Sequence, residues 1–448
     1  MQISVVGAGY VGLVTSACFA HLGHRVTCLD IDSEKVQRLR RGELPIYEPG
    51  LEALVREGMA QGRLRFTLDP EECIPGSEFT FVAVQTPSAS NGEADLMALL
   101  NATRSVATLV RRETIIVQKS TAPIGTTSLL EQLVAGRNGG SVQVVTNPEF
   151  LREGTAVHDF LNPDRVVVGA SNHEAAVRVA DLYGFADCPI LITDPNTAEM
   201  IKYASNAFLA AKISFVNEIA QICDAFAVDV RKVAEGMGHD PRIGPEFLRA
   251  GLGWGGSCLP KDVKALIHMA KAANVNPRIL EAVERVNAGQ RDQVVAKLEG
   301  LLGDLSGAVI GLLGIAFKPG TDDLRHAPSL QIARALLERG VNVRSYDPVA
   351  MERASGLAPE LTFCEDPYQM ADDADALVLV TEWPEFRDLD MVAIRERMRR
   401  PVLLDGRNFW DGTLMESMGF VYAGFGVSAT TKRASADIDA MAAFGRAS

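Results

Sequence analysis

Short apolar runs and helical stretches alternate through the first third of the chain. Ile3-Ser4-Val5-Val6 reads as a buried strand, Leu13 to Leu22 as an apolar helix closed by Gly23, and Arg25 to Asp30 as the next strand. Phe79 to Val84, Thr114 to Val117 and Val142 to Val145 are further runs of buried-strand character. The middle third changes period. Asn196 to Asp224 places Ile201, Ala204, Phe208, Ala211, Phe215 and Ile219 at helical spacing, and a second long helix is predicted from Arg278 to Leu302. The last third returns to the first pattern. Ala308 to Leu313 is a strand, Ser329 to Arg339 a helix, and a further strand ends at Asp347. The interval from Gly340 to Asp347 equals that from Gly23 to Asp30, and Ala374 to Thr381 echoes Ser77 to Val84. The pattern therefore predicts two related α/β halves with long helices between them.

Composition narrows the possible partners. The chain has 448 residues, 47% apolar and 23% charged, with a formal net charge of −13. That balance suits large buried cores and argues against binding nucleic acid or an anionic membrane surface. An anionic small molecule needs only a local site and stays open. The seven cysteines are scattered without zinc-like spacing, so no metal is expected and reduced thiols in a cytoplasmic protein are the natural reading. The chain opens directly on a strand, so no signal peptide is expected. No apolar run approaches the ~18 residues of a membrane span.

The first candidate chemistry lies at Gly7-Ala8-Gly9-Tyr10-Val11-Gly12, between a strand and a helix. Gly7, Gly9 and Gly12 allow a tight turn and close approach of a pyrophosphate, which rests on the helix N-terminus beside Tyr10 and Val11. Asp30 ends the next strand, where a carboxylate binds ribose hydroxyls and repels a 2′-phosphate, so NAD is expected over NADP. Lys35 is expected as a further cofactor contact. Thr86, Thr121, Glu149 and Glu153 fall just beyond the carboxyl ends of successive predicted strands, which line the ligand crevice of a parallel sheet. Tyr10 lies inside the phosphate loop, so a phosphate placed on it by a tyrosine kinase would repel the pyrophosphate.

The second candidate is Gly255-Gly256-Ser257-Cys258-Leu259-Pro260-Lys261-Asp262. Proline favours the first helical turn, so Cys258 is expected at the N-terminus of a helix running from Asp262 to Ala273. The partial positive charge there favours a thiolate. Lys261 adds a cation and Asp262 a carboxylate near the sulfur. Lys202 and Asn206 share one face of the long helix. These features predict a covalent nucleophile in an α/β chain built from two Rossmann-like doubly wound domains joined by a long-helix central region. The expected divisions are an NAD-binding domain over 1–195, a central helical dimerisation region carrying the cysteine over 196–303, a C-terminal Rossmann-like domain over 304–428, for which the resemblance given below implies a UDP-sugar, and a loose tail over 429–448. The second half lacks GxGxxG, so it is expected to hold a different nucleotide.

Taken together, the chain resembles the UDP-glucose 6-dehydrogenase family. The resemblance rests on the glycine loop, Tyr47-Glu48-Pro49-Gly50-Leu51, Ser120 to Thr126, Asn147 to Gly154, Gly255 to Asp262, and Phe317-Lys318-Pro319-Gly320-Thr321-Asp322-Asp323. Ala122 stands where a valine is commoner in the family. The resemblance implies a four-electron, NAD-dependent oxidation of UDP-glucose to UDP-glucuronate, a precursor for polysaccharide synthesis. It implies Cys258 as the nucleophile, Lys202 and Asn206 as oxyanion stabilisers, and Asp262, Thr121 and Glu149 as groups that position water and move protons. It implies Glu153, Lys261 and Arg325 as cofactor contacts. Substrate contacts are expected at Glu149, Phe150, Leu151, Arg152, Lys202, Asn206, Phe247, Leu248, Arg249, Ala250, Gly251, Gly255 and Lys318. Arg242 matches an arginine that reaches the neighbouring subunit's sugar site, which implies a homodimer. GDP-mannose 6-dehydrogenase is the nearest alternative. Arg242 to Gly244 and Phe247 to Trp254 look more like the UDP-glucose branch. A two-electron hydroxy-acid dehydrogenase of related fold is disfavoured by the cysteine stretch and the C-terminal half. A non-catalytic nucleotide-sugar sensor is disfavoured because every expected catalytic position is filled.

Overall fold

The computed structural model describes residues 1–427, apart from residues 90, 112 and 139–141. The predicted tail over 429–448 lies outside the described residues. The chain is α/β and divides into two compact units. The first is Met1–Ser205 with Lys264–Val275; the second is Asn206–Val263 with the described residues from Asn276 on.

The first unit is built on an eight-stranded sheet in the order β3-β2-β1-β4-β5-β6-β7-β8. Its strands are β1 (Gln2–Val6), β2 (Arg25–Leu29), β3 (Leu64–Thr67), β4 (Phe79–Val82), β5 (Ile115–Gln118), β6 (Gln143–Thr146), β7 (Val166–Ala170) and β8 (Ile190–Thr193). The order reverses beside β1, which creates the crevice where doubly wound sheets bind ligands. Both faces are covered, so side chains alternate between two cores. Ile3, Val5, Phe79, Phe81, Ile115 and Val117 pack on one side, and Val6, Val82, Ile116 and Val144 on the other. β6 and β7 pair antiparallel, the one reversal in the described sheet.

The second unit carries a six-stranded parallel sheet in the order β11-β10-β9-β12-β13-β14. These strands are β9 (Val309–Leu313), β10 (Asn342–Tyr346), β11 (Thr362–Phe363), β12 (Ala376–Leu379), β13 (Val402–Asp405) and β14 (Val421–Ala423). Leu313, Leu377 and Leu379 enter one core, and Ile310, Leu312 and Val378 the other. Asp347 follows β10 as Asp30 follows β2, and both aspartates tie down the loop after the sheet's central strand. Asp30 accepts from the Ala8 N–H at 2.7 Å; Asp347 accepts from Ile315 at 2.7 Å and Ala316 at 3.0 Å. The predicted second copy of the α/β pattern is thus present in the fold.

A 32-residue helix, Pro195–Phe226, begins in the first unit and continues in the second. Two further long helices follow, Leu259–Ala272 and Arg278–Leu302. Within the long helix the polar residues Lys202, Asn206, Ser214 and Asn217 are buried, while Phe208, Phe215 and Ile222 are 67%, 52% and 49% exposed. The apolar stripe read from the sequence therefore faces outward in the single chain. The buried face mixes these polar residues with Tyr203, Ala207, Ala210, Val216 and Ala220, so the helix presents apolar residues on both its buried and its exposed sides.

Candidate active site

The glycine loop fits a dinucleotide. The helix Tyr10–His21 starts directly after Gly9, with no acidic residue in its first turn. Its first-turn N–H groups thus suit an anionic group. A Cβ on Gly12 would lie 1.8 Å from the Gly7 carbonyl oxygen, and one on Gly7 2.7 Å from the Ala83 oxygen. Only glycine closes this turn. Asp30 is buried and accepts from Ala8, from the Asp32 N–H at 3.0 Å and from Lys35 Nζ at 3.1 Å. Asp30 and Lys35 therefore belong to one cluster at the end of β2. The Tyr10 hydroxyl is bonded to the Glu48 carboxylate, which also accepts from the N–H groups of Gly154 (2.6 Å) and Ala156 (2.8 Å). Glu48 thereby joins the phosphate loop to the end of the 147–154 segment. Glu48 lies in the quoted Tyr47–Leu51 motif, but sequence reasoning gave it no role.

Beyond β5 and β6 the strand-end residues converge. Thr86 Oγ1 donates to the Thr121 carbonyl at 2.6 Å, so these two strand ends are tied together. Glu149 is buried and accepts from Lys202 Nζ at 3.0 Å and from the Leu151 N–H at 2.6 Å. Burial pushes the Glu149 carboxyl up, but the Lys202 charge and hydrogen bond, the Leu151 N–H and the Lys119 charge outweigh it and hold it below the ordinary value. The Phe150 ring faces Lys202 at 5.3 Å and the Arg165 guanidinium at 3.6 Å. Arg152 is exposed and paired with Asp159 at 2.6 Å; Glu153 is buried. A cavity of about 10 Å³, room for one water, is lined by Gln118, Thr121, Pro148, Glu199 and Lys202. Glu199, one turn before Lys202, was missed in the sequence. Its carboxylate accepts from the Gly125 and Thr127 N–H groups at 2.7 and 2.8 Å, which anchors the segment after Thr121 to the long helix.

The helix Leu259–Ala272, whose first turn lies in the second unit, starts three residues earlier than the expected Asp262, with Pro260 in that turn. Cys258 thus stands at its N-terminus, half-buried, with Ser257 Oγ 3.5 Å from its sulfur. Asp262 is buried, accepts from Asn206 Nδ2 at 2.6 Å and pairs with Lys261 Nζ at 2.5 Å. Asn206, Asp262 and Lys261 therefore form one cluster in the first turn after the thiol. The glycines upstream are sterically required. A Cβ on Gly255 would lie 2.3 Å from the His326 carbonyl oxygen, and one on Gly256 (φ +83°) 2.6 Å from the Phe317 ring. The Gly256 N–H donates to the Arg325 carbonyl at 3.0 Å. These contacts bring the segment around Lys318 and Arg325 against the cysteine loop. Lys318 Nζ lies 5.5 Å from the Phe317 ring centre, and Arg325 pairs with Asp323.

Phe247 to Gly251 leads into this loop. Phe247 has φ +63°, an uncommon backbone for an aromatic residue. Leu248 and Ala250 are buried and Arg249 is exposed. Gly251 is held by Asn217 at 2.8 Å and by Gln290 at 2.7 Å. Arg242 is the outlier among the expected residues. It pairs with Asp240 in its own loop at 2.6 Å, and its side chain is 87% exposed.

A Rossmann-type glycine loop, a second nucleotide-type α/β unit and a cysteine at a helix N-terminus define a nucleotide-dependent oxidoreductase. Its family follows from sequence matches along almost the whole chain. Residues 1–187 match the NAD binding domain of the UDP-glucose/GDP-mannose dehydrogenase family, residues 196–289 its central domain and residues 311–412 its UDP binding domain. The chain belongs to this family, and its cofactor is NAD. It is 46% identical over 445 residues to the UDP-glucose 6-dehydrogenase of Pseudomonas aeruginosa, covering 95% of this chain and 97% of that one. It is 44% identical over 428 residues to UDP-glucose 6-dehydrogenase TuaD of Bacillus subtilis, covering 95% and 93%. Among solved structures it matches a UDP-glucose dehydrogenase from the hyperthermophilic archaeon Pyrobaculum islandicum. There the TM-score is 0.89 and the identity 42%, over 95% of this chain and 98% of that one. No helix among the described residues is long and apolar enough to cross a membrane.

Proposed function

We propose that the chain oxidises UDP-glucose to UDP-glucuronate in the cytoplasm, with two NAD consumed per sugar. The observation that carries this reading is Cys258 at the start of its helix, one turn from the buried Asn206–Asp262–Lys261 cluster. A two-electron alcohol dehydrogenase needs no such thiol. The UDP binding domain match and the UDP-glucose relatives support the choice of sugar.

The residues suit two successive oxidations. When bound, the nicotinamide accepts a hydride at each oxidation. Glu149 and Thr121 border the first step, in which the C6 hydroxyl loses its proton through water. The Cys258 sulfur then attacks the C6 aldehyde to give a thiohemiacetal. Lys202 and Asn206 supply a charge and an N–H donor for the developing oxyanion. Loss of the second hydride leaves a thioester on Cys258. Asp262 orients the water that hydrolyses it, and the thiolate leaves. In this reading Asp30 and Lys35 hold the adenosine ribose, and Glu153, Lys261 and Arg325 are further cofactor contacts. Phe247 to Gly251, Gly255 and Lys318 hold the nucleotide sugar.

The exposed apolar stripe of Phe208, Phe215 and Ile222 supports a homodimer through the central helices, with Arg242 free to leave Asp240 and enter the partner's sugar site. Phosphorylation at Tyr10 would break the Glu48 contact and place charge at the pyrophosphate site. The reading is tested by comparing kcat/KM for UDP-glucose and GDP-mannose on the purified protein. Higher kcat/KM with UDP-glucose is expected; faster turnover of GDP-mannose would overturn the choice of sugar.

A further inference from the structure

The proposed chemistry leaves one buried cation unused. Lys119 follows β5 directly and is 5% exposed. Its Nζ donates to Asn147 Oδ1 at 2.8 Å and to the Tyr183 hydroxyl at 3.2 Å. The Tyr183 hydroxyl donates to the same Asn147 oxygen at 2.6 Å, and Asn147 Nδ2 donates to the Val167 carbonyl at 2.8 Å. Lys119, Asn147 and Tyr183 thus close a buried triangle. Asn147 is followed by Pro148 and then Glu149, so the triangle sits at the root of the turn that carries the Lys202 partner.

We propose that Lys119 is a positioning residue for the oxidation. Through Asn147 it fixes the turn bearing Glu149, and it adds a second buried positive charge beside the Glu149–Lys202 pair. The inference rests on the roles given above to Glu149 and Lys202.

The charges around this turn are few. Lys119 is faced by Glu149, by Lys202 from the long helix and by Tyr183. Glu149 is faced by Lys202, Lys119 and Arg165, and Arg165 has Asp164 beside it. Burial pushes Lys119 down to about 7, with Lys202 adding to the fall and Glu149 opposing it. Below neutral pH Lys119 is therefore charged, and its charge favours the carboxylate form of Glu149. Removing that charge raises the pH at which Glu149 takes up a proton.

The test compares Lys119→Met and Lys119→Arg with wild type over about pH 3–8, a range that reaches below the ordinary carboxylate value because Glu149 is held under it. NAD affinity is expected to stay within about twofold in all three, because the glycine loop is untouched. With UDP-glucose, Lys119→Met should lose about tenfold or more in kcat/KM, with the acidic limb moved to higher pH. Lys119→Arg keeps the charge and should keep the limb of wild type. An unmoved limb in Lys119→Met would overturn the proposal. Tyr183→Phe is the milder variant that serves if the methionine protein does not fold. It should lower kcat/KM for UDP-glucose several-fold without moving the limb, and unchanged kcat/KM would count against the triangle. Wild-type activity alone reports on the proposed reaction. Only the difference between variant and wild type reports on Lys119.

Discussion

Cys258 and Lys119 carry opposite lessons about single residues. Cys258 could be read from the sequence because its neighbours announce it: two glycines, a proline, a lysine and an aspartate within eight positions. A hydroxyl in its place is far less acidic and a weaker nucleophile. Cys258→Ser should therefore lower turnover to the carboxylate by about 1,000-fold or more while leaving NAD binding intact. Near-wild-type NADH production by this variant would make the cysteine structural. Lys119 could not be read. A lysine after an apolar run looks like a solvated strand end, and only the fold brings Asn147 and Tyr183 to it. Its burial has a consequence for stability. The unfolded chain keeps the Lys119 proton up to about 10.5, whereas the native chain releases it near 7. Between those values the unfolded state binds more protons, so this group makes the fold more stable as pH rises. The stability of wild type relative to Lys119→Met should therefore increase from pH 7 to pH 10 in denaturant titrations. A constant difference across that window would contradict the buried charge.

At the scale of elements, periodicity located the long helices and many of the strands, but it missed Leu64–Thr67, Val166–Ala170 and Ile190–Thr193 and did not give the strands' partners. The run Val166–Ala170 forms β7, yet nothing in its composition says that it pairs antiparallel with β6. Direction is fixed by the chain's route between strands, which a local pattern does not contain. The long helix gives a similar case. Its apolar spacing was plain, but the buried face carries Tyr203, Ala207, Ala210 and Val216 together with Lys202, Asn206 and Asn217, each of which has a hydrogen-bond partner. The apolar face is left for another surface, and a second copy of the chain is the proposed one. Placing a charge in the stripe, as in Phe215→Asp, would bury an unpaired carboxylate in such an interface. The variant should sediment as a monomer at concentrations where wild type is a dimer. A wild-type sedimentation coefficient for the variant would rule out this face as the interface.

The whole molecule repeats one architectural idea with two outcomes. In the first unit the glycine loop leaves the helix N-terminus open, and Asp30 remains at the edge of the crevice. In the second unit Asp347 is 1% exposed; its Oδ2 accepts from the Ile315 and Ala316 N–H groups and from Trp383 Nε1 at 3.0 Å, and its Oδ1 from the Val349 and Ala350 N–H groups. It has no capacity left for a ribose, which explains in physical terms why the second copy suits a different nucleotide. The two family domains, NAD-binding and UDP-binding, follow this division. The proposed route keeps the sugar on the Cys258 thiol between the two oxidations, so that the aldehyde is not released. The direct measurement is the molar ratio of NADH formed to UDP-glucose consumed, followed to completion with excess NAD. A ratio of two, with UDP-glucuronate as the sole sugar product, is expected from a thioester route through Cys258. A ratio of one, with free aldehyde in solution, would contradict it.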